Sequence, residues 1–197
     1  TPSGFVHVGN FREAITVDLV GRALKSIGKN VRFIFSWDNF DTFRKVPKNV
    51  PDPEAFTKYL RQPIARIPDP WGHAASYAKS RSDLFEAELT RVGIHPEFLY
   101  QEEKYAAGEY ASDIIHALEH RQKIRAILDA YRTTPLDDDW LPTSIYCSKC
   151  QRDEMRFERY DGDGAYSYGC ASCGLDETVD IRTSRNIKLM WRVDWPM

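Results

Sequence analysis

Apolar positions along the chain alternate between helical spacing and short unbroken runs, a pattern typical of an α/β protein. Residues spaced by three or four positions predict a first amphipathic helix, with its apolar side formed by Phe11, Ile15, Leu19, Val20, Ala23, Leu24 and Ile27. Asn10 as N-cap, with Glu13 three residues later, predicts where this helix begins, and Gly28 where it ends. The β-branched and aromatic run at 31–36 then predicts a buried parallel strand.

Further along, residues 44–70 are rich in proline and basic residues and predict an irregular excursion. A helix is expected from the segment 69–73 to about Val92, with Tyr77, Leu84, Phe85 and Leu89 inward. A short strand is expected at 97–100, and a long helix at 109–132 with Ile114, Ile115, Leu118, Ile127, Leu128 and Tyr131 inward. An acidic linker at 135–142 and a final strand at 187–197 complete the pattern.

Composition narrows the function classes. The chain has 197 residues, 42% of them hydrophobic, and a net charge of −2, which argues against a protein that coats nucleic acid through a general positive field. No run approaches the roughly 18 apolar residues of a membrane span, so no membrane partner is expected. All four cysteines lie between Cys147 and Cys173, which fits a reducing compartment such as the cytoplasm.

The cysteines give the most specific chemical signal. Cys147 and Cys150 form one C-x₂-C pair, and Cys170 and Cys173 form a second pair after nineteen residues. Two such pairs predict one structural Zn²⁺ held by four thiolates, with a pair of disulfides as the alternative. The residues between them predict a hairpin with strands at 155–160 and 165–169.

A second motif carries possible metal chemistry. His116-Ala117-Leu118-Glu119-His120 matches the H-x-x-E-H pattern of some zinc proteases. The two histidines also fall, with Lys123, on the polar stripe of an ordinary amphipathic helix. Short motifs recur by chance, so we favour the polar stripe.

The start of the chain suggests a nucleotide site. A loop containing proline, serine and glycine leads into a helix, as in phosphate sites of α/β proteins, although a capped helix with an incidental histidine is the alternative. The string from Thr1 to Glu13, TPSGFVHVGNFRE, resembles the first ATP-binding signature of class I aminoacyl-tRNA synthetases, in the form used by class I lysyl-tRNA synthetases. Asn10 stands where the usual signature has a second histidine, a change that this family tolerates.

The resemblance continues in the same order along the whole chain. Its further segments are Trp-Asp-Asn-Phe-Asp at 37–41, Arg-Lys-Val-Pro at 44–47, Asp-Pro-Trp-Gly at 69–72, the two cysteine pairs, and Trp-Arg-Val-Asp-Trp-Pro at 191–196. It implies an α/β fold: a partial Rossmann-like nucleotide-binding sheet with an inserted α+β zinc-ribbon subdomain. The implied division is catalytic domain at 1–68, connective insertion at 69–185 with the zinc ribbon at about 144–180, and a return to the catalytic domain at 186–197.

The resemblance also implies a function, the ATP-dependent ligation of lysine to tRNA(Lys) in the cytoplasm. ATP with Mg²⁺ would be bound by Pro2, Ser3, Gly4, His7, Gly9 and Asn10, of which His7 and Asn10 would be catalytic. Lysine would be bound by Thr1, Asp38, Trp191 and Trp195. The family's second signature would lie beyond Met197, and one strand of its sheet would lie before Thr1. We therefore expect a fragment that is inactive alone.

Some family members carry a second zinc site near the Asp-Pro-Trp-Gly segment. Asp69 is kept here and His73 stands at a cysteine position, but Ala74 and Ser80 replace two histidine ligands, so we expect no closed site there. The rival assignments are a glutamyl- or cysteinyl-type synthetase, which shares the first signature, and a non-enzymatic zinc-ribbon module that binds RNA.

Overall fold

Residues 2, 4 and 6–196 are described by a computed structural model of the chain. Thr1, Ser3, Phe5 and Met197 lie outside the described residues. The chain divides into two units, Thr1–Glu102 and Glu103–Met197. The boundaries expected at 68 and 185 follow the chain order of the family and stay predictions.

The first unit combines helices with a small parallel sheet. Its elements are α1 (Val8–Ser26), β1 (Ile34–Trp37), α2 (Pro53–Phe56), a 3₁₀ turn (Thr57–Tyr59), α3 (Tyr77–Arg91) and β2 (Glu97–Tyr100). β1 and β2 run parallel, with Ile34 opposite Glu97 and Trp37 opposite Tyr100. The parallel pairing of β1 and the short strand β2 are confirmed, but the predicted burial of β1 is wrong for Ile34, which is 42% exposed. In the described residues this sheet has two strands, and the larger Rossmann-like sheet stays a prediction.

Helix α1 begins earlier than the sequence suggests. Its N-cap is His7, in an extended conformation, and Asn10 is the third helical residue, so the predicted cap at Asn10 is wrong. An imidazole nitrogen of His7 accepts a backbone N–H, which is the capping role predicted for Asn10. The end is confirmed: Gly28 has a φ of +79° and donates to the Lys25 carbonyl, while Lys29 donates to the Leu24 carbonyl, the glycine-terminated Schellman arrangement.

The buried side of α1 also differs from the prediction. Ala14 and Gly21 are its buried residues, whereas Val17, Leu19, Val20 and Ile27 are more than half exposed. The helix therefore carries a second apolar stripe that nothing in the described chain covers.

Two apolar clusters hold the first unit together. One contains Ala14, Trp37, Phe85, Leu89 and Ile94, and joins α1, β1 and α3. The other contains Phe43, Ile64, Ile67, Tyr77 and Ala78. The segment 44–70 is therefore not only an irregular excursion, because its apolar residues form part of a core. Within α3, the predicted inward position of Leu84 is wrong, since this side chain is 53% exposed.

The second unit contains the cysteine pairs. Helix α4 (Gln101–Ala107) enters it, followed by α5 (Ala111–Glu119), α6 (Arg121–Asp129), β3 (Thr143–Ile145), β4 (Met155–Gly162), β5 (Ala165–Cys170), β6 (Asp176–Asp180), β7 (Ile187–Leu189) and α7 (Trp191–Asp194). β4, β5 and β6 form an antiparallel sheet in that order, and β3 pairs antiparallel with β7. The predicted hairpin is confirmed.

Two predictions for this unit need correction. The helix expected over 109–132 is interrupted at His120, and Ile127 and Tyr131 are exposed rather than inward. The strand expected over 187–197 ends at Leu189, and the chain continues as α7. The buried Tyr105 fixes this turn, since its hydroxyl donates to Asp194 Oδ1 (3.1 Å) and accepts the Leu189 N–H (3.1 Å).

Among the described residues, no helix combines the length and the apolar character needed to cross a membrane.

Candidate functional sites

The first candidate site is the entrance to α1. The Nδ1 atom of His7 accepts the backbone N–H of Gly9 (3.1 Å), and the backbone N–H of His7 donates to Asn10 Oδ1 (3.2 Å). A neutral imidazole that accepts at Nδ1 carries its proton on Nε2. The exposed His7 ring therefore offers an Nε2–H donor at a helix N-terminus, where the helix dipole favours an anion and the first turn holds no carboxylate.

The structure explains Gly9 and Gly4 of this entrance differently. A Cβ added to Gly9 would lie 2.8 Å from Cε1 and 3.0 Å from Nδ1 of His7, so Gly9 lets the imidazole fold over the helix start. A Cβ on Gly4 would meet no atom within 4 Å in the described residues beyond its chain neighbours, so packing against them does not demand a glycine there.

The segment after β1 holds Asp38 and Asp41. Asp38 directly follows the strand and is half-buried. Asp41 is buried, and its carboxylate accepts the backbone N–H of Thr42 and the guanidinium of Arg44 at 2.8–2.9 Å. Asn39 accepts the backbone N–H of Glu102 (2.8 Å), which ties this segment to the start of α4. Asp41 thus has a structural role, whereas the binding of a substrate amine by Asp38 stays a prediction.

The Asp-Pro-Trp-Gly segment is an internally bonded turn. The carboxylate of Asp69 accepts the backbone N–H groups of Trp71, His73 and Ala74 at 2.7–3.2 Å, and these bonds hold the pKa of Asp69 below its usual range against the opposing effect of its burial. The guanidinium of Arg81 stacks 3.8 Å from the centre of the Trp71 ring. The aspartate thus shapes the turn that precedes α3.

The second candidate site is the cysteine cluster. The Sγ atoms of Cys147, Cys150, Cys170 and Cys173 all lie within 4.8 Å of one another, and the pairs 147–173 and 150–170 are each 3.6 Å apart. All four are free thiols, so the disulfide alternative finds no support. Tetrahedral zinc with bonds of about 2.3 Å requires sulfur atoms roughly 3.8 Å apart. The cluster therefore fits a tetrahedral metal ion.

Two turns of the same construction present these thiols. Gln151 follows the first pair and donates its backbone N–H to the Cys147 carbonyl (2.9 Å). Gly174 follows the second pair and donates to the Cys170 carbonyl (3.1 Å). Cys170 begins its turn at the end of β5, so the sheet fixes the position of the second pair.

A serine in each turn donates a hydrogen bond to a glutamate that follows the other turn in the sequence. Ser148, in the first turn, donates its hydroxyl to Glu177 Oε2 (2.7 Å) on β6. Ser172, in the second turn, donates to Glu154 Oε2 (2.7 Å), just before β4. The buried Tyr168 adds to the first brace, because its hydroxyl accepts the Ser148 N–H (3.0 Å) and donates to Glu177 (2.6 Å). No sequence pattern predicts these residues, because serine and glutamate near a cysteine pair are not distinctive.

The four thiols differ in how readily they ionise. Burial raises the pKa of Cys150 to about 12 and raises that of Cys147, whereas the backbone N–H of Leu175 lowers the pKa of Cys173 to about 7. Four thiolates this close together need a cation to balance their charge, and coordination supplies one.

Two tryptophans with a predicted role in lysine binding lie near the end of the chain. Trp191 is the first residue of α7 and Trp195 directly follows its last, and they are 56% and 83% exposed. Pro2 is buried, while Thr1 and Ser3 lie outside the described residues.

Comparison with known proteins identifies the class. Residues 1–197 match the family described as tRNA synthetases class I (K), and the chain therefore belongs to that family.

The most informative relatives are named lysine–tRNA ligase. The chain is 53% identical to the protein of Borrelia garinii subsp. bavariensis over 197 residues and 51% identical to that of Thermococcus kodakarensis over 201 residues. It is 45% identical to the protein of Treponema pallidum over 199 residues. All of this chain is matched in each case, and it spans 38% of the length of each relative.

Proposed function

We propose that this chain is part of a cytoplasmic class I lysine–tRNA ligase and supplies one half of its ATP and lysine site. The observation that carries the proposal is the entrance to α1, where His7, Gly9 and Asn10 form a compact, carboxylate-free helix start. The family match and the names of the relatives support the choice of lysine as the amino acid.

The proposed reaction has two steps. A carboxylate oxygen of lysine attacks the α-phosphorus of ATP, and the bond from that phosphorus to the bridging oxygen breaks, which releases pyrophosphate and gives lysyl-adenylate. A ribose hydroxyl of tRNA(Lys) then attacks the carbonyl carbon, and AMP leaves. His7, through Nε2–H, and Asn10 would stabilise the phosphates as negative charge moves, a contribution of positioning and electrostatics.

The other assigned residues would hold the substrates. Pro2, Ser3, Gly4 and Gly9 would shape the wall against the nucleotide, which enters with Mg²⁺. Thr1 and Asp38 would bind lysine, with the Asp38 carboxylate on its α-ammonium group. Trp191 or Trp195 would cover the lysine side chain. The remainder of the Rossmann-like sheet and the second phosphate-binding signature would come from the rest of the ligase, so the isolated chain would not complete the reaction.

The cysteine cluster would hold one structural Zn²⁺. Four thiolates fill a tetrahedral coordination sphere, so the ion would have no open position and would stabilise the fold of the ribbon. The ribbon would support the acceptor end of the tRNA.

Lysine-dependent exchange of pyrophosphate into ATP tests the proposal in the full-length ligase. We expect exchange with lysine and none with glutamate or cysteine. Exchange with another amino acid only would reassign the substrate, and tRNA binding without any exchange would favour a non-enzymatic RNA-binding module.

A further inference from the structure

His116 lies on the exposed side of α5, and His120 lies one turn later, exposed at the end of this helix. Their ring centres are 4.2 Å apart, and the ring planes meet at 35°. We propose that this pair is a second metal site, one that binds an exchangeable Ni²⁺, Cu²⁺ or Zn²⁺ ion independently of the cysteine cluster. It does not depend on the proposed ligase activity.

The hydrogen bonding of His120 prepares it as a ligand. Its Nδ1 lies 3.0 Å from the carbonyl oxygen of His116, an acceptor, so Nδ1 carries the proton and donates it. The lone pair of the neutral ring is then on Nε2. Histidines that ligate metals usually have their second nitrogen bonded to a carbonyl or carboxylate in this way, which fixes both tautomer and ring orientation.

The ligand count defines the kind of site. In the part of the chain that the structure describes, the four cysteines are the one group of three or more potential ligand side chains close enough to share an ion. The histidine pair therefore contributes two nitrogens, and water fills the other positions. Such a site is open and its ion exchanges, unlike a closed structural site.

The chemistry of the donors selects the ion. Imidazole suits nickel, copper and zinc, and affinity rises from nickel to copper along the divalent series. Magnesium and calcium prefer oxygen ligands. The next residue on the same stripe, Lys123, carries a positive charge, so binding must come from nitrogen lone pairs rather than from a negative field.

Binding would also act on the helix junction. His120 ends α5 and directly precedes α6. An ion held by both rings would join the last full turn of α5 to this junction, and would slow hydrogen exchange of the amides there.

The test titrates Ni²⁺ into the zinc-loaded chain by calorimetry, with zinc content measured by native mass spectrometry before and after. We expect one Ni²⁺ per chain beyond the bound zinc. His116→Ala and His120→Ala should each weaken binding at least about tenfold. The matched control is His95→Ala, an exposed histidine in the first unit, which should leave the titration unchanged. Circular dichroism verifies that each variant is folded.

Several results would overturn the site. These are an absence of Ni²⁺ binding in the parent chain, binding that survives either substitution in the pair, or equal loss in His95→Ala. Release of zinc as nickel is added would place the nickel in the cysteine cluster and would equally refute the proposal. A matching signal with Mg²⁺ would show a general cation effect instead of imidazole ligation.

Discussion

Gln151 and Gly174 occupy the same position in two copies of one turn. Each directly follows the second cysteine of its pair, each has a left-handed backbone with φ of 60° and 74°, and each donates its backbone N–H to the first cysteine's carbonyl. Glycine meets this requirement without strain. The glutamine compensates through its side chain, whose Nε2 donates to the carbonyls of Cys147 and Ser148 at 3.2 and 3.3 Å.

Replacing Gly174 should therefore be costly. Gly174→Ala places a Cβ on a left-handed residue, and we expect it to lower the unfolding free energy of the zinc-loaded chain by about 1 kcal/mol, measured by chemical denaturation. Gly21→Ala is the control, because Gly21 is a helical residue of α1 where a Cβ makes an ordinary contact 3.8 Å from Val31. This control should raise stability by roughly 0.5–1 kcal/mol. An equal decrease of the unfolding free energy in both variants would show that the positive φ of Gly174 is not the cause.

Removal of the metal should unfold the ribbon. Without a cation, four crowded thiols lose the interaction that joins the two turns, and structural zinc contributes on the order of 10 kcal/mol in small domains. We expect a chelator to remove one Zn²⁺ per chain, as measured by native mass spectrometry. The near-ultraviolet circular dichroism of the buried Tyr166 and Tyr168 should be lost with it. Cys170→Ser should reproduce this state. An unchanged tyrosine signal after complete zinc loss would contradict a structural role.

Substitutions of His7 separate its two roles in the full-length ligase. His7→Asn keeps a good N-cap but removes the imidazole donor, so stability should hold while lysine-dependent pyrophosphate exchange falls by about 10²-fold. His7→Ala should lose the same activity and also about 1 kcal/mol of stability. Val8→Ala, at an 82% exposed neighbour, is the control. Normal exchange in His7→Asn would show that the histidine only caps the helix.

The stability of the second unit should depend on pH through Glu158. Burial raises the pKa of this carboxyl from 4.5 to about 7, and Tyr166 donates a hydrogen bond to it (3.0 Å). Between these two values the folded chain holds a proton that the unfolded chain has lost. The unfolding free energy therefore falls as pH rises through this interval and levels off above about pH 7, a total effect of order 1–3 kcal/mol.

Glu158→Gln should flatten this dependence, because an amide of similar size cannot ionise. Denaturation of the zinc-loaded chain from pH 5.5 to 8 measures the difference in slope between parent and variant. Zinc content must be constant over the range, so that protonation of the cysteines does not contribute. Parallel slopes would exclude Glu158 as the group responsible.

The sequence predicts best the features that depend on few residues close together. The cysteine spacing specified the cluster, and Asp161 to Gly164 specified the hairpin turn between β4 and β5. Gly28 specified the end of α1, because only glycine readily takes that conformation.

The predictions that were wrong concern features that depend on tertiary packing. Leu19 and Val20 have helical spacing, yet periodicity alone does not say which of two apolar stripes meets the sheet. His7 acts as an N-cap through a nitrogen, outside the usual set of capping residues. The braces from Glu177 and Glu154 depend on how the strands are arranged, which no local pattern encodes.

The bonds of Tyr105 have a consequence for synthesis on the ribosome. Its hydroxyl meets Leu189 and Asp194, which lie 84 and 89 positions later in the chain. At about 5–20 residues per second, those partners emerge several seconds after the tyrosine. By then the whole core of the first unit has been synthesised. In the second unit, Tyr105 on α4 has neither of these partners until the ribbon has been translated. A nascent chain thus completes its two units in order, and a stall before Leu189 leaves the second one open.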